Sequence, residues 1–368
     1  MNLKLKHILI FAGISLICIF LWYISTIVAY VLIAALVSVI AQPAVKFICG
    51  FKIGKYHISK SIAAILIIIV FWALSVSFFR IFVPMVANQG HELSKISRTD
   101  VERCMEKPLN TVERIFGEFH AASGKNDSNF KEYASERIAK LMNASYLTDF
   151  FRLLTGLIGN IFVAIFSISF IAFFFIKDDK LFTSFILTLT PDKYLEKVTR
   201  AMESIKKMLI NYLLGLMLDV TLIIILISVG MMIVGLTFEQ AMIVGLIAGL
   251  SNFIPYIGPL IGAAFGLLLG VAVNINGDFD TVILPQLIYM LIVFVIVNLS
   301  DGMLLQPLIF SNSVKAHPLE IFLVIMIAGT LAGIPGMVLA IPVYTILRVI
   351  AKEFFYQFKV VKKITENI

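Results

Sequence analysis

Asp219 sits in Leu216-Met-Leu-Asp-Val-Thr-Leu222, in the middle of an apolar run. A carboxyl at the centre of a membrane helix costs about 2.5–3.5 kcal/mol on insertion scales, so such acids usually face a cavity, a cation or a proton path. The alternative is a protonated acid hydrogen-bonded to a neighbouring helix. A second polar set breaks a long apolar stretch: Asn252, Pro255, Tyr256, Gly258 and Pro259. Proline has no amide hydrogen, so inside a helix it orphans a carbonyl one turn upstream, and orphan carbonyls can hold a cation or a polyol. Shaping the turn is the simpler use of the same residues. Gly333, Pro335 and Gly336 interrupt a later apolar stretch in the same way. Between the two interruptions stand Asp301, Gln306, Pro307, His317 and Pro318. Asp301 suits a cation ligand or gate, and equally a solvated charge at a helix end. His317 suits a pH sensor, although a lone interfacial histidine is more often polar surface.

The element that must position the first interruption runs from Gln240 to Val273. As one straight helix it would be about 51 Å long, against a hydrocarbon core of roughly 30 Å. As two arms, 240–254 and 259–273, each is about 22 Å long and reaches only part-way across. Ala241, Gly245 and Gly249 on the first arm, and Gly258, Gly262, Gly266 and Gly270 on the second, recur at a spacing of four. That spacing keeps them on one face, where two backbones can approach closely. Irregular backbone at membrane depth requires protein or a wet cavity to satisfy it. The expectation is a re-entrant hairpin with a polar tip; the alternative is one kinked helix. The glycine ridge serves either packing or sliding, and both uses stay open.

Composition explains why a membrane enters the argument. Aliphatic and aromatic residues make up 60% of the chain and charged residues 14%, a balance that excludes a soluble globular domain. The net charge of +7 comes from basic residues in short loops beside apolar spans, an orientation signal rather than a nucleic-acid surface. Cys18, Cys49 and Cys104 form no disulfide framework or metal spacing. No phosphate loop, zinc-protease motif, nucleophile elbow or His/Cys cluster occurs, so no enzyme, cofactor or metal site is expected.

In chain order, Ile8–Tyr23 and Ile27–Phe47 read as two spans around a tight Ser25-Thr26 reversal, and Ile62–Val83 as a third that ends at Pro84. The start resembles a signal peptide but is expected to remain as a first span. The segment 85–149 has nearly balanced charge and two helical stripes, and is expected to be a small extracytoplasmic helical subdomain. Phe150–Ile176 returns to the cytoplasm. Thr190-Pro191 reads as cap and first residue of an amphipathic helix, with Leu195, Val198, Met202 and Ile205 opposite Lys197, Arg200, Lys206 and Lys207. Met208–Val234 is the next span. The acidic loop 274–280, the span Val282–Leu299, the broken stretch Leu319–Val349 and a basic tail with Arg348, Lys352, Lys359, Lys362 and Lys363 complete the chain.

The pattern of span plus broken segment occurs twice, at 208–273 and 282–349. If both broken segments re-enter, the acidic loop lies outside and the basic tail inside, as charge bias prefers. Inverted repeats with interrupted helices are how many secondary transporters build a midplane site. The expected fold is therefore an all-α polytopic membrane protein of about eight membrane segments, the last four as inverted repeats with two re-entrant hairpins. Its parts are three spans in 1–84, the 85–149 subdomain, a span and amphipathic helix in 150–207, a transport core in 208–349 and a cytoplasmic tail in 350–368.

Asn252-Phe-Ile-Pro-Tyr-Ile-Gly-Pro259, Asp301-Gly-Met-Leu-Leu-Gln-Pro307, His317-Pro318, Gly333-Ile-Pro-Gly336 and Pro342 occur in an order and spacing that resembles the AI-2E family. These are bacterial permease-like proteins named for autoinducer-2 export. The resemblance is most specific over 199–350, while the N-terminal half matches in layout and in Phe175-Ile-Lys-Asp-Asp179. It implies an inner-membrane exporter acting on autoinducer-2 or another small polar metabolite, and the charge bias of the loops puts both termini in the cytoplasm. A sodium (lithium)/proton antiporter is a second implied activity, and a homo-oligomer such as a pentamer the implied assembly. The chain departs from the family pattern at Pro335, where an aliphatic residue is usual. It departs again at Leu216, where Gln is common, with Asp219 appearing one turn later. A non-transporting scaffold, with hairpins and glycine ridges serving assembly, is the rival class.

Overall fold

A computed structural model describes residues 23–53, 56–94, 162–178, 181–255, 257–306 and 317–356, together with Arg103, Phe358 and Val361. The first expected span and nearly all of the 85–149 subdomain lie outside the described residues. What is described is almost wholly helical, as a chain with so much apolar surface and no water at its flanks requires. The exception is a two-residue ribbon in the basic loop, β1 (Lys52–Ile53) and β2 (Tyr56–His57), paired antiparallel with Lys52 opposite His57. Apart from that ribbon the described residues are helical, as the all-α expectation has it.

Helix α1 spans Ser25–Gly50, so Ser25-Thr26 opens a helix. Helix α2 spans Lys60–Ser94 and runs straight through Pro84. The expected stop at Pro84 does not occur: proline removes one intrahelical bond, and tertiary packing of Met85 and Val86, both buried, offsets that loss. Helix α3 covers Phe162–Lys177 and α4 covers Leu181–Leu189. Thr190 is not the cap of the next helix. Its hydroxyl bonds back to Ile186 O at 2.7 Å, Pro191 is extended, and a 3-10 turn over Asp192–Tyr194 intervenes.

Helix α5, Leu195–Ile233, is one continuous rod of 39 residues. The amphipathic helix and the span expected as separate elements are its two halves, because no Gly or Pro occurs from Leu195 to Leu214 to divide them. Helices α6 (Phe238–Ser251) and α7 (Ile257–Val273) follow, then α8 (Leu284–Ser300), flanked by π turns at Phe279–Ile283 and Asp301–Leu305. The last element, α9 (Pro318–Phe355), is interrupted at Ala332 and Gly333, where φ at Gly333 is +62°.

By length and composition five stretches can cross a membrane: Ser25–Gly50, Lys60–Gln89, Asp192–Ile233, Phe279–Leu305 and Leu319–Phe355. The last is not a straight rod. Tyr344 Oη donates to Glu320 Oε2 at 2.7 Å, although 24 residues of straight helix would separate them by about 36 Å. Gly336 lies against Ala328, and Gly329 against Met337. Its two arms are therefore a helical hairpin.

The chain forms two compact units. The first draws on Met1–Leu74, Asn160–Leu214 and Phe310–Ile368. Small residues let its helices touch: Ala34 and Ala41 of α1, Ala64 of α2 and Ala172 of α3 share one buried cluster with Ile176. The second draws on Ser75–Gly159 and Gly215–Ile309. Its core joins Met85 and Val86 of α2, Ile223, Ile227 and Met231 of α5, Val244 and Ile247 of α6, Leu269 of α7, and Met290 and Phe294 of α8.

Candidate functional site

The polar residues of the second unit meet because α6, α7 and α8 are held at unusually short range. A capping box starts α6: Thr237 Oγ1 accepts from the Gln240 amide, and Gln240 Oε1 accepts from the Thr237 amide at 3.0 Å. Helix α6 then runs antiparallel to the second half of α5, with Gly245 against Ser228 and Ile224, and Gly249 against Ile224 and Val220. That register delivers the end of α6 to Asp219. Asn252 Nδ2 donates to Asp219 Oδ2 at 3.0 Å.

Helix α7 folds back on α6. A Cβ at Gly258 would meet Asn252 Cα at 2.7 Å, and one at Gly262 would meet Ala248 Cα at the same distance. On its other flank α7 meets α8: a Cβ at Gly266 would lie 2.7 Å from the Phe294 ring, and one at Gly270 would lie 2.6 Å from Met290 Sδ. Real side chains do not approach so closely, so these glycines are packing contacts inside the unit.

Helix α8 brings in the second acid. Its last turn widens to a π turn, with the Gln306 amide bonded to Asp301 O, and Gln306 Nε2 donates to Asp301 Oδ2 at 2.9 Å. Single π turns inside helices recur at functional sites. Asp219 is 2% exposed, Asp301 3% and Asn252 5%. The reading of Asp301 as a solvated helix-end charge is corrected: the helix continues past Leu299 and carries it into the interior. Asp219 and Asp301 are near enough to act on each other electrostatically. Oδ1 of each has no hydrogen-bond partner among the described residues.

The tip backbone differs from the sequence expectation. The carbonyls that Pro255 and Pro259 orphan are those of Ser251 and Pro255, one turn upstream. Ser251 O accepts from the Ile254 amide at 3.0 Å, and Pro255 O from the Ile257 amide at 2.9 Å. Leu250 O and Ile254 O are likewise taken, by the Phe253 and Gly258 amides. Tight turns have recaptured the acceptors expected to face a ligand.

The structure thus brings Asp219, Asn252, Asp301 and Gln306 together, with Pro255, Gly258 and Pro259 shaping the tip beside them. Tyr256 and Pro307 lie outside the described residues. His317, Gly333, Pro335 and Gly336 belong to the first unit. His317 is an exposed helix cap whose Nδ1 accepts from the Leu319 amide at 3.2 Å, and Pro318 is the first residue of α9. Gly333 and Pro335 are exposed.

Sequence reasoning missed one cluster in the first unit. Arg348, read as part of the basic tail, is buried, and its guanidinium lies 5.6 Å from the centre of the Tyr344 ring, whose hydroxyl holds Glu320. The available signal was the four-residue spacing of Tyr344 and Arg348, which places both on one face of an otherwise apolar helix.

An almost wholly helical chain with several membrane-length apolar stretches, an outward surface of Ile, Leu, Val and Phe, and two buried acids among its helices is a multi-pass membrane protein of the transporter class. Within that class it belongs to the AI-2E transporter family, whose sequence profile, described as AI-2E family transporter, matches residues 9–355. It is similar to YueF of Bacillus subtilis (strain 168), named as a candidate transport protein, with 32% identity over 193 residues, 52% of this chain and 49% of YueF. YrrI of the same organism, named in the same way, is 30% identical over 51% of this chain and 50% of its own length. PerM of Escherichia coli (strain K12), named as a candidate permease, is 41% identical over 16% of each chain. The matches span about half the length of the two Bacillus relatives.

Proposed function

We propose that the chain is a secondary transporter exporting a small polar metabolite, with autoinducer-2 the type suggested by the family, by alternating access at the tip of the α6–α7 hairpin. The observation that carries this reading is the buried set Asp219, Asn252 and Asp301 inside an apolar helical unit, with the exposed Gln306 bonded to Asp301. Three buried polar side chains in such a place cost desolvation that packing alone would not select, and intramembrane acids mark solute or ion pathways. Both ends of the hairpin lie toward the C-terminal end of α5, since α6 runs back along it. This supports a segment that enters and leaves the membrane on one side. In this reading the α9 hairpin is the inverted counterpart, both termini are cytoplasmic in a bacterial inner membrane, and the working form is a homo-oligomer without cofactor or catalytic residue.

Efflux from proteoliposomes, screened over small polar metabolites, tests the reading. Saturable efflux lost in Asn252→Ala is the expected result, and its absence for every solute favours the scaffold. Topology has its own test: a single cysteine at Asn276, in a background lacking the native cysteines, reacts with an impermeant thiol reagent from outside. Labelling only from the cytoplasmic face would refute re-entry. A second reading, sodium (lithium)/proton antiport, is favoured by the paired carboxyls and predicts alkali-cation flux without any organic solute.

A further inference from the structure

The two arms of α9 are held very unequally. On the second arm Leu339, Ala340, Ile341, Thr345, Arg348 and Val349 are buried, and the Phe354 ring near its end lies 6.1 Å from that of Tyr194, just ahead of α5. On the first arm, among the described side chains from Leu319 to Leu331, Ile325 alone is buried, while Phe322, Leu323, Met326 and Ile327 are exposed. In a bilayer that outer face stays in hydrocarbon wherever the arm goes. No hydrophobic term therefore ties it to the second arm; packing and hydrogen bonds must do so. Packing is concentrated near the tip, where Gly336 lies against Ala328 and Gly329 against Met337. From Ala328 back to Glu320 the arm then runs about 12 Å as helix. Its far end is tied by the hydrogen bond from Tyr344 Oη to Glu320 Oε2 at 2.7 Å. The tyrosine side of this contact is fixed, since its ring lies 5.6 Å from the buried Arg348 guanidinium on the same arm. The glutamate side is within reach of water: Glu320 is half-buried, three positions from the exposed His317. At the opposite end, Gly333 at φ +62° has no atom within 4 Å of an added Cβ, so its backbone can turn without meeting a side chain.

We propose that Glu320 and Tyr344 form a latch that keeps the first arm of α9, residues 318–331, against the second. When the bond opens, the first arm swings about Ala332 and Gly333, the Glu320 side chain passes to water, and the second arm stays in the core of its unit. The latch goes beyond the transport reading above and does not rest on it, since a chain that moves no solute would still open and close. The glycine contacts are the pivot because they lie beside the turn. Glu320 lies at the far end, where the same rotation gives the largest displacement and a single bond has the most leverage. Thr330, the other polar side chain of the first arm, bonds back to Ile327 O at 2.7 Å within that arm. The His317 cap is equally local, on the Leu319 amide.

Distances between paired spin labels read the arm directly. The full chain is used in lipid, with the native cysteines replaced and labelled chain diluted with unlabelled, so that only pairs within one chain are read. One pair joins the exposed positions Leu323 on the first arm and Leu347 on the second. A control pair joins Leu347 to the exposed Lys197 on α5. Each pair should show one dominant distance in the otherwise unaltered chain. Tyr344→Phe, which keeps the ring and removes one hydroxyl, should shift the first pair toward a second, longer population and leave the control pair as it was. Glu320→Ala should do the same, while Glu320→Gln, which keeps an acceptor oxygen, should stay close to the unaltered chain. A first pair unchanged in both Tyr344→Phe and Glu320→Ala overturns the latch. So does a control pair that lengthens together with the first, because the unit then loosens as a whole. Should Glu320→Ala fail to fold, Tyr344→Phe decides alone.

Discussion

The α6–α7 hairpin and the α9 hairpin begin from the same sequence device, two apolar arms joined through Pro and Gly, and they bury opposite ends. In the first, six glycines let the arms and their neighbours approach closely, four of them against backbone atoms, and the polar residues sit at the tip, where Asn252 reaches Asp219. In the second, Ala332, Gly333, Ile334 and Pro335 at the tip are exposed, and the polar contact lies toward the open end, where Tyr344 holds Glu320. Interrupting a helix therefore does not by itself define a site. What matters is whether a polar side chain is placed at the interruption and whether neighbouring helices close over it.

The sharpest way to break this contrast is to add bulk to the first hairpin. Gly262→Leu pushes a side chain into Ala248, and overpacking of that kind costs about 3 kcal/mol or more. Loss of monodisperse protein on size exclusion is expected. A variant that folds normally and only transports more slowly would make the ridge a sliding surface, as the sequence also allowed. Next in size is Asn252→Ala, which strips the donor from a buried carboxyl oxygen at a cost of about 1–3 kcal/mol. Thermal unfolding in detergent measures it. Tyr344→Phe removes the corresponding bond from the second hairpin and should cost about 1 kcal/mol by the same assay.

Gly333→Ala sharpens the comparison at the tips. No atom lies within 4 Å of an added Cβ there, so its effect is purely conformational, about 1–2 kcal/mol for a non-glycine residue at φ +62°. The smallest effect is expected at Arg200, which bonds Glu196 at 2.8 Å and approaches Glu353 at 3.7 Å with half of its side chain in solvent. Arg200→Ala should shift stability by less than about 0.5 kcal/mol.

Much of this was legible in the sequence because it is local. Prolines and glycines mark where apolar runs break, and an acid inside an apolar run stands out. The face of Leu195, Val198, Met202 and Ile205 is half-buried and the opposite lysines are exposed, as their spacing requires. Thr190-Pro191 misled because a threonine hydroxyl can bond back to its own helix as readily as cap the next. Pro84 misled because a missing hydrogen bond is a local cost that distant packing can outweigh. Asp301 was hidden for a different reason. Its partner lies 82 positions away, and nothing in Asp301-Gly-Met-Leu-Leu announces a wider turn.

That wider turn makes the second acid a question of counting. A π turn contains one residue more than the α turn it replaces, which rotates the helix beyond it by about 100°. Through this extra residue Gln306, five positions on, comes back over Asp301. The exposed Gly302, with open space where a Cβ would be, is the position where one residue could leave without disturbing packing. Its deletion would return the turn to ordinary register and slide Gln306 out of alignment. In lineage terms, a single codon gained at the end of one helix is enough to separate a chain that seals its acid from one that leaves it unsupported.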